Sequence, residues 1–249
     1  MKLKGIFYAG TSGLQLPIPK SAYPENYRDK SRLVYYSSLY NSVEINSSFY
    51  KLPQAKTIGK WIGEIGDDFR ISLKAWQNIT HVKALDFLKG DIEKFLAIIP
   101  HPENKIGCLL FQFPPGLQAS AKDQLFHLLD IIRSNENSVD WKIATEFRHY
   151  SWYGQINNEQ LKPYNATIVI HDMHMSATPF VNKDTGFLYL RFHGPDGKYR
   201  GSYDDAFLQE KAALVKQYLS KGKDVYAYFN NTMGNALGNL DTFMRMVQK

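Results

Sequence analysis

The chain has 249 residues, 44% of them hydrophobic and 22% charged, close to globular averages. That balance excludes wholesale disorder and collagen-like repeats, and a single cysteine, Cys108, excludes a disulfide scaffold. The net charge of +6 is compatible with an anionic partner without specifying one.

In chain order, the opening Met1-Lys2-Leu3-Lys4 has the look of a signal peptide. Its apolar stretch breaks at Gly10-Thr11-Ser12-Gly13 with no cleavage pattern following, so it reads as mature sequence of a cytoplasmic protein. Alternating or apolar runs predict strands over Gly5–Ala9, Ser42–Asn46, Phe69–Lys74, Gly107–Gln112, Lys142–Arg148, Thr167–Asp172, Phe187–His193 and Asp224–Asn230. Helical spacing predicts helices over Asn26–Tyr40, Asp86–Ile99, Lys122–Arg133, Ser202–Leu219 and Ala236–Val247. The longest apolar runs, such as Leu109-Leu110-Phe111, fall far short of the roughly 18 residues of a membrane span. Eight strands with intervening crossovers suit a single-domain α/β TIM (β/α)8 barrel over residues 1–249. The crossover between strands six and seven is irregular, because Pro179 and Gly186 leave little room for a helix in Met173–Gly186. A doubly wound open sheet is the competing fold.

Side chains alternate between the two faces of a strand, and in a barrel one face fills the interior. Val43 and Ile45 oppose Glu44 and Asn46, and Ile71 and Leu73 oppose Ser72 and Lys74. Leu109 and Phe111 oppose Gln112; Ile143 and Phe147 oppose Glu146 and Arg148; Leu190 and Phe192 oppose Arg191 and His193. With the apolar face on the helices, the polar set converges at the C-terminal mouth, where barrel enzymes place their chemistry.

The same strand ends carry ordered motifs: Gly-Thr-Ser-Gly at 10–13, Val-Glu-Ile-Asn-Ser-Ser-Phe-Tyr at 43–50 and Phe-Arg-Ile-Ser-Leu-Lys-Ala at 69–75. Leu-Leu-Phe-Gln-Phe-Pro-Pro at 109–115, Glu-Phe-Arg-His-Tyr-Ser-Trp at 146–152, Leu-Arg-Phe-His-Gly at 190–194 and Tyr-Phe-Asn-Asn-Thr at 228–232 follow. The chain thereby resembles the YecE-like family, also called domain of unknown function 72, over nearly its whole length. The resemblance implies a TIM barrel and leaves the activity open.

The residues themselves suggest an enzyme acting by acid/base chemistry on a small anionic or phosphate-bearing ligand. Glu44 and Glu146 are the candidate proton-transfer pair, with Lys74 and His193 as further catalytic candidates. Arg148, two residues from Glu146 on the same face, would hold that carboxylate ionised. Arg148 and Arg191 would grip the anion, with Asn46, Gln112 and Asp172 as further ligand-binding groups. Asn230 and Asn231, leading into the last helix, suit either a phosphate cradle at its N-terminus or a simple helix cap. Tyr50, Trp76 and Trp152 are the aromatics placed to stack on a ligand, whereas Phe49 and Phe113 read as core. No cofactor is predicted; His171, Asp172, His174 and His193 lack a recognised metal-ligand spacing, which makes a divalent metal the weaker alternative. His81, His101 and His127 read as surface residues and Cys108 as inert packing. Three alternatives stay open: a nucleic-acid phosphodiester hydrolase or repair enzyme, a non-catalytic ligand- or partner-binding barrel, and a purely structural plug of paired charges.

Overall fold

The computed structural model describes residues 4–99, 105–135, 141–179 and 185–249. The first half runs β1 (Phe7–Thr11), α1 (Arg32–Ser37), β2 (Ser42–Ile45), α2 (Ser47–Tyr50), α3 (Ala55–Glu64), β3 (Arg70–Lys74), α4 (Gln77–Thr80) and α5 (Lys89–Ala97). The second runs β4 (Ile106–Gln112), α6 (Lys122–Ser134), β5 (Lys142–Glu146), α7 (Asn158–Leu161), β6 (Ala166–Ile168) and β7 (Ile170–His171). It ends with β8 (Leu188–Phe192), α8 (Asp205–Ser220), β9 (Val225–Phe229) and α9 (Ala236–Gln248). His101 and part of the Met173–Gly186 segment lie outside the described residues.

Every strand pairing is parallel, in the orders β2-β3-β4-β5-β6 and β1-β9-β8-β7. Consecutive strands are neighbours in both sheets, without the order reversal of a doubly wound fold. This is a TIM-like α/β arrangement. The expected single sheet of eight strands is instead two sheets. The predicted sixth strand, Thr167–Asp172, is divided: Ala166–Ile168 pairs with β5, and Ile170–His171 pairs with β8. At the other junction Ser12 bridges Glu44 in parallel, and the Gly13 N–H donates to the Glu44 carbonyl at 2.7 Å. Gly10 permits this approach, because a Cβ there would sit 1.8 Å from the Ser42 carbonyl oxygen.

Local chemistry explains the shifted element ends. The predicted helix over Asn26–Tyr40 shortens to α1 because the Ser31 hydroxyl accepts the Val34 N–H and starts the helix there. Asp204 caps α8 in the same way through the Phe207 N–H at 2.8 Å. Helix α3 was not foreseen; it buries Ile58 and Ile62.

Apolar packing falls into two bodies. The larger lies between strands and helices and includes Val43, Leu73, Phe95, Phe111, Leu128 and Phe243. Fully burying each such side chain contributes about 1.5–3 kcal/mol. The smaller holds Tyr8, Cys108, Leu110, Tyr189, Tyr226 and Tyr228, which share the opposite strand face. Tyr228 of β9 ties this cluster to β2 and β3, its hydroxyl 2.6 Å from Ser42 Oγ and 2.8 Å from Ser72 Oγ. Cys108 is buried here, its thiol pKa pushed up by burial, in keeping with inert packing. No helix among the described residues is long and apolar enough to cross a membrane.

Candidate functional site

On the strand face that carries Tyr189, β2, β5 and β8 assemble a buried charge cluster. Arg191 of β8 lies between Glu44 of β2 and Glu146 of β5. Its Nη2 donates to Glu44 Oε1 and its Nη1 to Glu146 Oε2, both at 2.7 Å. Glu44 also accepts from Ser12 Oγ and Tyr189 OH, each at 2.6 Å. Glu146 takes a second charged donor, Arg148 Nε. Burial alone would raise the Glu146 pKa, but Arg148 and Arg191 outweigh it and hold the carboxyl well below the ordinary range. Burying several charges costs several kcal/mol per ion unless pairing and hydrogen bonds compensate. Here each carboxylate oxygen has at least one donor.

His193 completes the cluster. Its Nε2 lies 3.0 Å from Arg148 Nη2 and 3.4 Å from Arg191 Nη1, and guanidinium nitrogens can only donate. Nε2 therefore accepts, and the proton resides on Nδ1, 3.2 Å from Asp172 Oδ1. Burial depresses the His193 pKa, against the opposing pull of Asp172. Asp172 is fixed in turn by the His193 N–H at 2.7 Å and by the Tyr203 hydroxyl. His171 turns away, its Nε2 donating to the Phe147 carbonyl at 2.9 Å. Among the described residues no three His, Cys, Asp or Glu side chains are grouped so as to share a metal ion.

Above the cluster opens a pocket of about 300 Å³, lined by Asn46, Tyr50, Lys74, Gln112, Arg148, Arg191, Tyr199, Asn230, Thr232 and Met233. Cations, amides and hydroxyls line it; the carboxylates do not. Larger surface clefts elsewhere, such as that beside Lys216 and Lys249, bring together no comparable set of buried cations. Lys74 Nζ donates to Gln112 Oε1 at 2.8 Å and lies 4.1 Å from the Phe49 ring centroid. Desolvation, followed by the charge of Arg191, lowers its pKa to about 8. Arg148 Nη1 has no acceptor among the described residues, and neither has Asn46 Oδ1 a donor.

The residues expected at the site are placed unequally by this arrangement. Glu44 and Glu146, expected as the proton-transfer pair, are fully buried with their oxygens engaged, and neither lines the pocket. His193 is equally enclosed and its basic nitrogen is occupied. Asp172 holds His193 and Tyr203 and is absent from the pocket lining. Trp152 is core, stacked on Phe147 at 4.5 Å with its N–H on the Leu117 carbonyl, and Trp76 packs half-buried against the core. Helix α9 begins at Ala236 and lends no N-terminal N–H to the pocket; Asn230 reaches it from the preceding loop. Asn231 instead binds the Gly201 carbonyl and Asn239 Oδ1, both at 3.0 Å. Lys74, Arg148, Arg191, Asn46, Gln112, Tyr50 and Asn230 do meet in the pocket. Phe49 and Phe113 are core, and His81 and His127 are exposed, as expected.

Sequence reading missed Tyr189 and Ser12 as partners of Glu44, and Tyr199, Thr232 and Met233 as lining residues. Tyr189 shares a strand face with Arg191 and was legible from that spacing. Tyr199 was not: it sits at φ +63° in the loop that follows Gly194.

The family described as "Protein of unknown function DUF72" matches residues 8–249. The UPF0759 protein YunF of Bacillus subtilis (strain 168) is 27% identical over 245 residues, 86% of this chain and 85% of that protein. The UPF0759 protein YecE of Escherichia coli (strain K12) is 27% identical over 125 residues, half of this chain and 44% of that one. Among solved structures, a DUF72 family protein of Enterococcus faecalis V583 superposes with a TM-score of 0.77 at 20% identity, covering 98% of this chain and 96% of that one. Another, of Thermotoga maritima MSB8, superposes with a TM-score of 0.75 at 25% identity, covering 98% and 100%.

Proposed function

The chain belongs to the DUF72 family, and on that premise we propose that it is an enzyme of one barrel domain acting on a small anionic or phosphate-bearing ligand. In this reading the two sheets form one ring, closed at Ser12–Glu44 and at the divided strand around Val169. Arg148 and Arg191 hold the anionic group, and Lys74 is the side chain that gives or takes a proton. The observation that carries the reading is the segregation of charge: three cations line the pocket while both glutamates lie beneath it. A guanidinium with an unpartnered nitrogen, backed by a buried carboxylate, is a preorganised donor for a phosphate or carboxylate oxygen. Lys74, brought near the working pH range, can change protonation state during turnover.

A thermal-shift panel tests this with phosphosugars, nucleotides, oligonucleotides, neutral sugars, and divalent metals with a chelator control. Ligands that bind the folded state stabilise it by mass action. Stabilisation by phosphosugars or nucleotides and not by neutral sugars, lost in Arg148→Gln, is the expected result. Equal response to neutral sugars, or none to any anion, would refute it. A second reading, a nucleic-acid phosphodiester as the ligand, draws on the net charge of +6 and on Tyr50, 71% exposed at the pocket rim. Hits confined to oligonucleotides and abolished by salt would select it.

A further inference from the structure

Lys74 differs from Lys105 and Lys142, two other half-buried lysines, in how its charge is met. Lys105 Nζ donates to the Ile62 and Ile65 carbonyls at 3.1 and 2.8 Å and pairs with Asp67 at 3.3 Å. Lys142 pairs with Asp224 at 3.0 Å. Among the described residues no carboxylate comes within 4 Å of Lys74 Nζ, because Arg148 and Arg191 occupy the glutamates of the cluster. Its hydrogen bond goes to a neutral amide oxygen, and the amide is held in that orientation by Gln112 Nε2 donating to the Phe113 carbonyl at 2.8 Å. Lys74 and Gln112 both line the pocket, and desolvation with the charge of Arg191 outweighs the pull of Glu146 and Glu44 on the ammonium form.

We propose that Lys74 condenses with the carbonyl carbon of a small anionic aldehyde or ketone, a compound carrying phosphate or carboxylate beside a C=O group. This rests on the anion reading above and names the substrate class within it. The neutral amine attacks the carbonyl carbon, forming a C–N bond and a carbinolamine. The C–O bond then breaks, and the oxygen leaves as water with one proton from the nitrogen and one on its own hydroxyl. The resulting imine takes a proton from solvent to become an iminium ion. The pocket suits each stage. Arg148, whose Nη1 meets no acceptor among the described residues, anchors the anionic end, and Asn46, whose buried Oδ1 meets no donor among them, lines the same pocket. The iminium N–H keeps its acceptor in Gln112 Oε1. Its positive charge lies over the Phe49 ring, 4.1 Å from the centroid, which favours a cation at that point. A pKa of about 8 leaves a usable share of neutral amine near neutrality, where an exposed lysine has almost none.

Reductive trapping on the intact wild-type chain tests the inference. The protein is incubated separately with glycolaldehyde phosphate, pyruvate and the neutral glycolaldehyde, reduced with sodium borohydride, and mapped by peptide mass spectrometry. Glycolaldehyde phosphate and pyruvate separate a phosphate from a carboxylate as the anchored group. With at least one anion, label at Lys74 should exceed that at any other lysine by about tenfold, the effect of a single unit of pKa. Methyl phosphate should compete, and neutral glycolaldehyde should show no preference for Lys74. Lys74→Arg, which keeps the charge but offers no condensing amine, should lose that label alone. If methyl phosphate binds while Lys74 is labelled no more than other lysines, the imine is refuted and the anion pocket stands. If neither occurs, both fail. Equal labelling of Lys74 by neutral and anionic aldehydes refutes the substrate class.

Discussion

Arg148 Nη2 donates to His193 Nε2 at 3.0 Å, and this contact sets the protonation of the buried centre. With Nε2 accepting, the His193 ring is neutral and carries its proton on Nδ1 toward Asp172. Nitrogen-15 NMR of the histidine rings should show one residue held in the Nδ1–H tautomer from pH 8 down through the ordinary histidine value of about 6.5, its pKa being depressed by burial. A ring that becomes imidazolium across that range would contradict the arrangement.

The buried histidines also predict acid sensitivity. His171 has its pKa lowered to about 4 by burial, so the unfolded chain binds the proton first. Stability contributed by this neutral ring is present above about pH 6.5 and declines as pH falls toward 4. For His171 the loss amounts to about 3 kcal/mol over that window. His193 adds a loss of the same sign. Glu146, shifted below its ordinary value, adds a further loss once the unfolded carboxyl begins to protonate. Urea denaturation at several pH values checks this: His171→Gln should flatten the slope between pH 6.5 and 4, and an unchanged slope would count against it.

Two cations in the same pocket should respond unequally to removal. Arg191→Met strips the shared partner from Glu44 and Glu146 and is expected to cost about 3–5 kcal/mol. Lys74→Met removes a desolvated charge with no carboxylate within 4 Å among the described residues and should change stability by less than about 1 kcal/mol. Equilibrium unfolding of both variants decides it, and equal losses would mean that the lysine is as much a part of the buried ion network as the arginine.

The aromatics divide in the same manner. Trp152, fully buried on Phe147 and Phe113, should cost about 3–5 kcal/mol when truncated to Ala. Tyr50→Ala should alter stability by less than about 0.5 kcal/mol while weakening whatever occupies the pocket. A severe stability loss in Tyr50→Ala would remove it from the ligand-facing set.

Much of this was legible in the chain, for definite reasons. The two-residue period placed Glu44, Glu146 and Arg191 on one strand face, and parallel pairing then brought them together. What the period could not give was depth. Glu146 and Arg148 share a face, yet Glu146 is sealed below and Arg148 reaches the pocket. Sequence spacing also put Trp152 beside the site, whereas a turn of 3-10 helix over Tyr150–Gly154 folds it back into the core. The division of the sixth strand at Val169 has no local signal, since Ile168, Val169 and Ile170 form an unbroken β-branched run. Which neighbour each half joins is decided by β5 and β8, far away in sequence.

The most direct test of the anion pocket is a calorimetric titration with methyl phosphate at fixed ionic strength and pH 7, comparing wild type with Arg148→Gln. Saturable one-to-one binding by the wild type, weakened about tenfold or more in the variant, corresponds to a loss of about 1.4 kcal/mol or more and is the predicted result. Absence of saturable binding by the wild type, or equal affinity in a folded Arg148→Gln, would contradict the claim that this pocket is built to hold an anion.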